Sequence, residues 1–252
     1  MFLQSYVAPV CLCEVDPNGG ANIRELFGTA FLINDKGVFL TARHVLEDAY
    51  AKAQENGQIV GLIVKGEAGS SPKSGVAPIK SFEHAPAPYD VSIGTVHYQS
   101  PTLLRLAPIE IEPWQDVAAY GYPIHAVSGP ASALGLNLRC HKGYIQRLLS
   151  PGDIPLGSHP DGFELSFLVA RGISGAPLFV HRQDKDIVIG VCVGSFRTEQ
   201  IEDEFVEISQ NGSTYKEIKI KIDEFSTAQD IRPLHGWKPE LLAGATLLEA
   251  SA

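Results

Sequence analysis

The chain has 252 residues, 44% hydrophobic and 19% charged, which is enough apolar material for a substantial core and excludes global disorder. Its net charge of −9 argues against nucleic acid or an anionic membrane as a partner. No stretch approaches the ~18 consecutive apolar residues of a membrane-spanning helix, and the 24 glycines and 17 prolines are spread along the chain as in turn-rich all-β folds.

In chain order, Tyr6 to Val15 reads as a first strand closed by the turn residues Asp16 to Gly20. Phe27 to Ile33 is a second, and Asn34-Asp35-Lys36-Gly37 is a hairpin signal leading into Val38 to Thr41. Ala42 to Asn56 carries apolar residues at helical spacing (Val45, Leu46, Ala49, Ala53) and ends at Gly57. Ile59 to Val64, Pro78 to Phe82 and Val91 to Val96 follow as strands, with a loop from Gly66 to Gly75. Gln99 to Pro113 reads as a crossover between two halves. In the second half, Asp116 to Tyr120, Leu136 to Leu149, Gly162 to Ala170, Leu178 to Arg182 and Ile187 to Val193 continue the β pattern. Arg197 to Asn211 turns acidic and polar and reads as a loop or insertion. Tyr215 to Ile222 alternates as a strand with one solvated face, and Trp237 to Leu248 as a short helix with Pro239 in its first turn. Two β-rich halves of similar length suggest paired barrels.

The four cysteines, Cys11, Cys13, Cys140 and Cys192, form neither a disulfide framework nor a zinc spacing. No positive residue precedes Arg24, so Met1 to Cys13 does not read as a signal peptide. A reducing, cytoplasmic setting is the expectation. No metal-binding, phosphate-cradling or dinucleotide motif occurs, so no cofactor and no metal are expected.

Gly172-Ile173-Ser174-Gly175-Ala176-Pro177 separates two apolar runs. A serine hydroxyl is a weak nucleophile and needs exposure, a base and donors for a developing oxyanion. Flanking glycines permit a tight turn whose peptide N–H groups point outward. The base candidate is His44 in Thr41-Ala42-Arg43-His44, where a strand gives way to a helix. The acid candidate is Asp90, at the mouth of an apolar strand. Alone, each has an ordinary alternative: a hairpin turn, a packed or surface histidine, a capping aspartate.

Taken in order, Gly28-Thr29-Ala30-Phe31, Leu40 to His44, Asp90-Val91 and Gly172 to Gly175 resemble the trypsin/chymotrypsin-like serine peptidase family in its bacterial form. The resemblance covers about residues 5 to 196 and implies an all-β fold of two six-stranded Greek-key barrels. Residues 1–105 would carry His44 and Asp90. Residues 106–252 would carry Ser174, an acidic insertion at about 197–212 and the C-terminal helix. It also implies Ser174 as nucleophile, His44 as general base then acid, Asp90 as its orienter, and the N–H groups of Gly172 and Ser174 as the oxyanion hole. The matching specificity-pocket positions are Leu168, Val169, Val193, Gly194 and Ser195. None is acidic, which implies a hydrophobic or small residue before the scissile bond.

Two features depart from the family. Ile173 stands where zymogen-activated animal members carry aspartate, so activation by an inserted N-terminus is not expected. The acidic segment from Glu199 to Glu207 has no counterpart, and could be a regulatory loop, a partner surface or a solvated excursion. The expected partner is a polypeptide substrate. The alternative from another class is a latent or inactive module, serving as a sensor or awaiting an activating protein partner.

Overall fold

The Asn34 side chain shapes the turn between Leu32 and Val38: its Oδ1 accepts the N–H groups of Lys36 (2.9 Å) and Val38 (3.2 Å), turning the chain between two strands. In the computed structural model, which describes residues 3–15, 20–66, 73–124, 127–128, 135–154, 158–182, 185–208 and 214–251, those strands belong to a closed barrel. It is built from β1 (Val7–Val15), β2 (Ala21–Leu32), β3 (Val38–Ala42), β4 (Ile59–Gly66), β5 (Lys73–His84) and β6 (Val91–Val96). Their order around it is β1-β2-β3-β6-β5-β4. Helix α1 (Arg43–Asn56) buries Val45, Leu46, Ala49 and Ala53, the stripe its sequence spacing predicts.

β7 (Leu104–Leu106) lies in the crossover, where no strand was expected, and pairs in parallel with a strand of the second half. Then come β8 (Asp116–Gly121), the short pair β9 (Val127–Ser128) and β10 (Gly135–Leu136), β11 (Arg139–Leu149), β12 (Gly162–Leu165), β13 (Pro177–Arg182), β14 (Lys185–Ile208) and β15 (Thr214–Asp230). The order β8-β11-β12-β15-β14-β13 closes through β13–β14 and β13–β8 pairing. Counted from its own first strand, this is the Greek-key order of the first barrel. The fold is therefore the two-barrel, all-β architecture.

Other elements differ from the sequence reading: the strand expected over Gly162 to Ala170 ends at Leu165. Arg197 to Asn211 is strand as far as Ile208: β14 and β15 continue beyond the barrel as a long two-stranded ribbon. The acidic composition hid this because neutralisation comes from across the ladder, Lys216 meeting Glu204 at 3.0 Å and Lys219 meeting Glu202 at 2.8 Å. The Tyr215–Ile222 stretch accordingly has both faces in solvent. At the C-terminus the helix is shorter than predicted. A 3-10 turn over Glu240–Leu242 stops at Ala243 and Gly244, both at positive φ, and α2 (Leu247–Ala250) restarts behind a Thr246/Glu249 capping box.

This tail packs on the first barrel. Leu234 and Leu247 are buried in that core, and Asn34 Nδ2 donates to the Ala250 carbonyl at 2.8 Å. The barrels are also stitched directly, Tyr122 Oη donating to the Val7 carbonyl at 3.1 Å. No helix among the described residues is long and apolar enough to cross a membrane.

Candidate active site

His44 is the second residue of α1. The residue before the helix, Ala42, has no side chain to cap the orphan N–H groups of the first turn. Asp90, just ahead of β6, supplies the missing acceptors. Its Oδ1 accepts the His44 backbone N–H at 2.8 Å, and its own carbonyl accepts the Arg43 N–H at 3.2 Å. The other carboxylate oxygen, Oδ2, lies 2.6 Å from His44 Nδ1. An acceptor-only carboxylate there requires a proton on Nδ1, which leaves Nε2 of the neutral ring as a bare acceptor. Nε2 has no hydrogen-bond partner among the described residues. Burial of the ring disfavours its charged form, but the hydrogen bond and charge of Asp90, helped by Asp48 and Glu47, outweigh that. The His44 pKa is held above the ordinary imidazole value. Asp90 is held in turn from the second barrel, its N–H donating to Gln229 Oε1 at 2.7 Å.

The serine turn is fixed by two glycines at positive φ, Gly172 (+98°) and Gly175 (+85°). A Cβ on Gly172 would lie 2.5 Å from the Tyr122 carbonyl, and one on Gly175 would overlap the Thr29 carbonyl and Thr41 Oγ1. The turn therefore lies flat on β2 and β3, two strands that lead towards His44. The Ser174 carbonyl accepts the Thr29 N–H at 2.8 Å, and Gly175 N–H donates to the Cys192 carbonyl at 2.7 Å. The N–H groups of Gly172 and Ser174 donate to no protein acceptor among the described residues. Ser174 Oγ donates to the Val193 carbonyl at 3.3 Å. Ile173, the residue before Ser174, is fully buried in the second core.

Val193, Gly194 and Ser195 line one side of a cleft of about 320 Å³ that also contacts Pro88, Asp90 and Ile154. Leu168 and Val169 do not line this cleft. Leu168 is 54% exposed, while Val169 is buried in the second core with its N–H donating to Ser226 Oγ at 2.6 Å. Thr29 belonged to the ordered sequence pattern, but nothing in the sequence announced its task. Its buried Oγ1 donates to the Gly172 carbonyl at 2.9 Å and accepts the Tyr122 N–H at 3.0 Å, tying the serine turn to both barrels. Gln229 and Ser226 had no local signal at all, since their partners are distant in sequence. Among the described residues no group of three or more His, Cys, Asp or Glu is placed to hold a metal ion.

A family model described as a trypsin-like peptidase domain matches residues 28–191. Among solved structures, an HtrA-type protease, AlgW with a decapeptide, has a TM-score of 0.54 at 14% identity, over 91% of this chain and 61% of that one. The MamO protease domain from Magnetospirillum magneticum, in its apo form, has a TM-score of 0.53 at 12% identity, over 92% and 94%. Deg5 has a TM-score of 0.52 at 17% identity, over 76% and 80%. At these identities the likeness is one of fold. No curated protein matches the chain in sequence.

Proposed function

The chain belongs to the trypsin-like peptidase family, and on that premise we propose that it is a serine endopeptidase working through an acyl-enzyme with Ser174, His44 and Asp90 as its triad. The observation that carries this reading is the double contact of Asp90 with His44, which fixes the ring with Nε2 free to take a proton. In the reaction Ser174 Oγ leaves the Val193 carbonyl, gives its proton to His44 Nε2 and attacks the scissile carbonyl carbon. The oxyanion forms against the unengaged N–H groups of Gly172 and Ser174. Asp90 stabilises the imidazolium, which then protonates the leaving amine. Water, deprotonated by His44, attacks the ester and frees Ser174.

The preference we assign is a hydrophobic or small residue before the scissile bond. It is supported by the absence of an acidic side chain at Leu168, Val169, Val193, Gly194 and Ser195; the cleft that the last three line includes neither Ser174 nor His44. Digestion of a peptide library, read by mass spectrometry, tests both statements. Cleavage after apolar or small residues, lost in Ser174→Ala, is the expected result; cleavage that survives Ser174→Ala would remove the assignment.

One observation favours a second reading, a latent peptidase opened by a protein partner. The Ser174 hydroxyl is turned to Val193, and no hydrogen bond joins it to His44 among the described residues. Activity that appears only when a partner fraction is added would select this reading.

A further inference from the structure

We infer that Gln229 is a positioning residue for the base: from the second barrel it fixes the Asp90 backbone, and through Asp90 it aligns the His44 ring with Ser174. The inference rests on the peptidase reading above. His44 and Asp90 belong to the first barrel and Ser174 to the second. Proton transfer from Ser174 to His44 therefore needs the two barrels held closely in register.

Two reaches across the interface supply that register, one in each direction. Thr29 of β2 donates its N–H to the Ser174 carbonyl at 2.8 Å, which ties the nucleophile to the first barrel. Gln229 of β15 accepts the Asp90 N–H at 2.7 Å, which ties the acid to the second. The other described hydrogen bonds of Asp90 all go to the start of α1. Both carboxylate oxygens meet His44, and the carbonyl accepts the Arg43 N–H. Those contacts fix Asp90 relative to the helix that carries the base, not relative to Ser174. Among the described residues Gln229 alone bonds Asp90 from the barrel of the nucleophile.

The position is built for this one contact. Ala228 lies in the second core, so the alternation of β15 turns its neighbour Gln229 to the opposite face, on the wall of the cleft that Pro88 and Asp90 share. Gln229 is only 8% exposed, and the Asp90 N–H is its one side-chain hydrogen-bond partner among the described residues. A backbone donor facing the amide also settles which end points to Asp90, since only the oxygen accepts. An apolar side chain would be cheaper to bury there, so the acceptor is what the residue contributes. The strand beneath is firm. β15 is paired on both sides at this point, Gln229 lying opposite Gly162 of β12 and Val191 of β14. The neighbouring strands approach so closely that a Cβ on Gly162 would lie 2.6 Å from the Ala228 carbonyl, and one on Gly190 2.7 Å from the Gln229 carbonyl.

The test is a kinetic cycle with an NMR readout on the full chain. Gln229→Met keeps the length of the side chain and removes the acceptor. Its kcat should fall about tenfold to a hundredfold, with KM within about threefold of the wild type. Asp90 then holds the ring less well, so the His44 midpoint in an NMR titration should drop, while Asp48 and Glu47 on α1 keep part of its elevation. Gln229→Glu restores an acceptor and adds negative charge. It should recover kcat to within about threefold of the wild type, with a His44 midpoint at or above the wild-type value. In an Asp90→Asn background Gln229→Met should change kcat by less than about twofold, because a residue acting through Asp90 has nothing left to position. Should Gln229→Met not fold, Gln229→Asn, too short to reach the Asp90 N–H, must show the same loss. An unchanged kcat or an unmoved His44 midpoint would overturn the inference and leave the peptidase reading intact, as would a loss that adds in full to that of Asp90→Asn. A folded wild type that turns over no peptide would overturn both.

Discussion

Asp90 caps the helix that carries His44 and orients the His44 ring with the same carboxylate, at 2.8 Å to the backbone N–H and 2.6 Å to Nδ1. Helix start and base tautomer therefore depend on one side chain that arrives from β6, the strand next to β3. Asp90→Asn can still accept from the backbone N–H, but its NH2 group facing Nδ1 would favour the opposite tautomer and block Nε2. We expect kcat to fall on the order of 10³–10⁴-fold with KM little changed, and thermal stability to fall only modestly. Steady-state kinetics beside a melting curve checks this; equal losses in kcat and in folding would not fit.

The acid limb of kcat/KM should reflect His44. Its neutral form is the base, and its pKa is raised, so activity should climb with pH through a midpoint above the ordinary ~6.5. Stability runs the other way. A group whose folded pKa is raised contributes stability fully present below its unfolded pKa, and that contribution fades as pH rises through the folded value. An NMR titration of the His44 ring in the wild type and in Asp90→Asn measures both; a midpoint unmoved by the substitution would contradict Asp90 as the source of the shift.

Thr29→Val should damage the serine turn without touching the triad. It leaves the Gly172 carbonyl and the Tyr122 N–H without their buried partner, at a cost of about 1–3 kcal/mol in stability. Freed at Gly172, the turn should lose alignment of its donors, so kcat falls more than KM rises. Thr29→Ser, which keeps the hydroxyl, should recover most of both.

Gly175→Ala should be worse than its one methyl group suggests. Its φ of +85° and the Thr29 carbonyl beneath it leave no place for a Cβ. A loss of about 3 kcal/mol or more is expected by urea unfolding. Near-native stability would show that the turn yields readily to a side chain.

What could be read from the sequence was whatever local pattern determines. The α1 stripe, the Asn34 turn and the spacing of glycines around Ser174 are short-range signals, and the order of His44, Asp90 and Ser174 follows directly from the chain. What escaped was non-local. The ribbon looked like an acidic loop because the lysines opposite it are donated by a later strand. Gln229 meets Asp90 across 139 residues, and Ser226 meets Val169 across 57. The C-terminal helix was overextended because Ala243 is an ordinary helix former in composition yet adopts a left-handed conformation in the fold.

The cysteines offer an inexpensive check on packing. Cys11, Cys13 and Cys192 are buried and Cys140 is exposed, with burial pushing the Cys192 thiol up to about 12. A thiol reagent should modify one cysteine quickly in the folded protein and the others only on unfolding. Rapid modification of Cys192 would mean that the strand beside Ser174 opens readily.

The most direct measurement is fluorophosphonate labelling of the purified protein, beside Ser174→Ala, His44→Ala and Asp90→Asn, with the modified residue identified by mass spectrometry. Stoichiometric labelling at Ser174 is expected, abolished in the first variant and slowed by orders of magnitude in the other two. A folded wild-type protein that takes no label, or takes it elsewhere, would contradict an assembled His44–Asp90–Ser174 site.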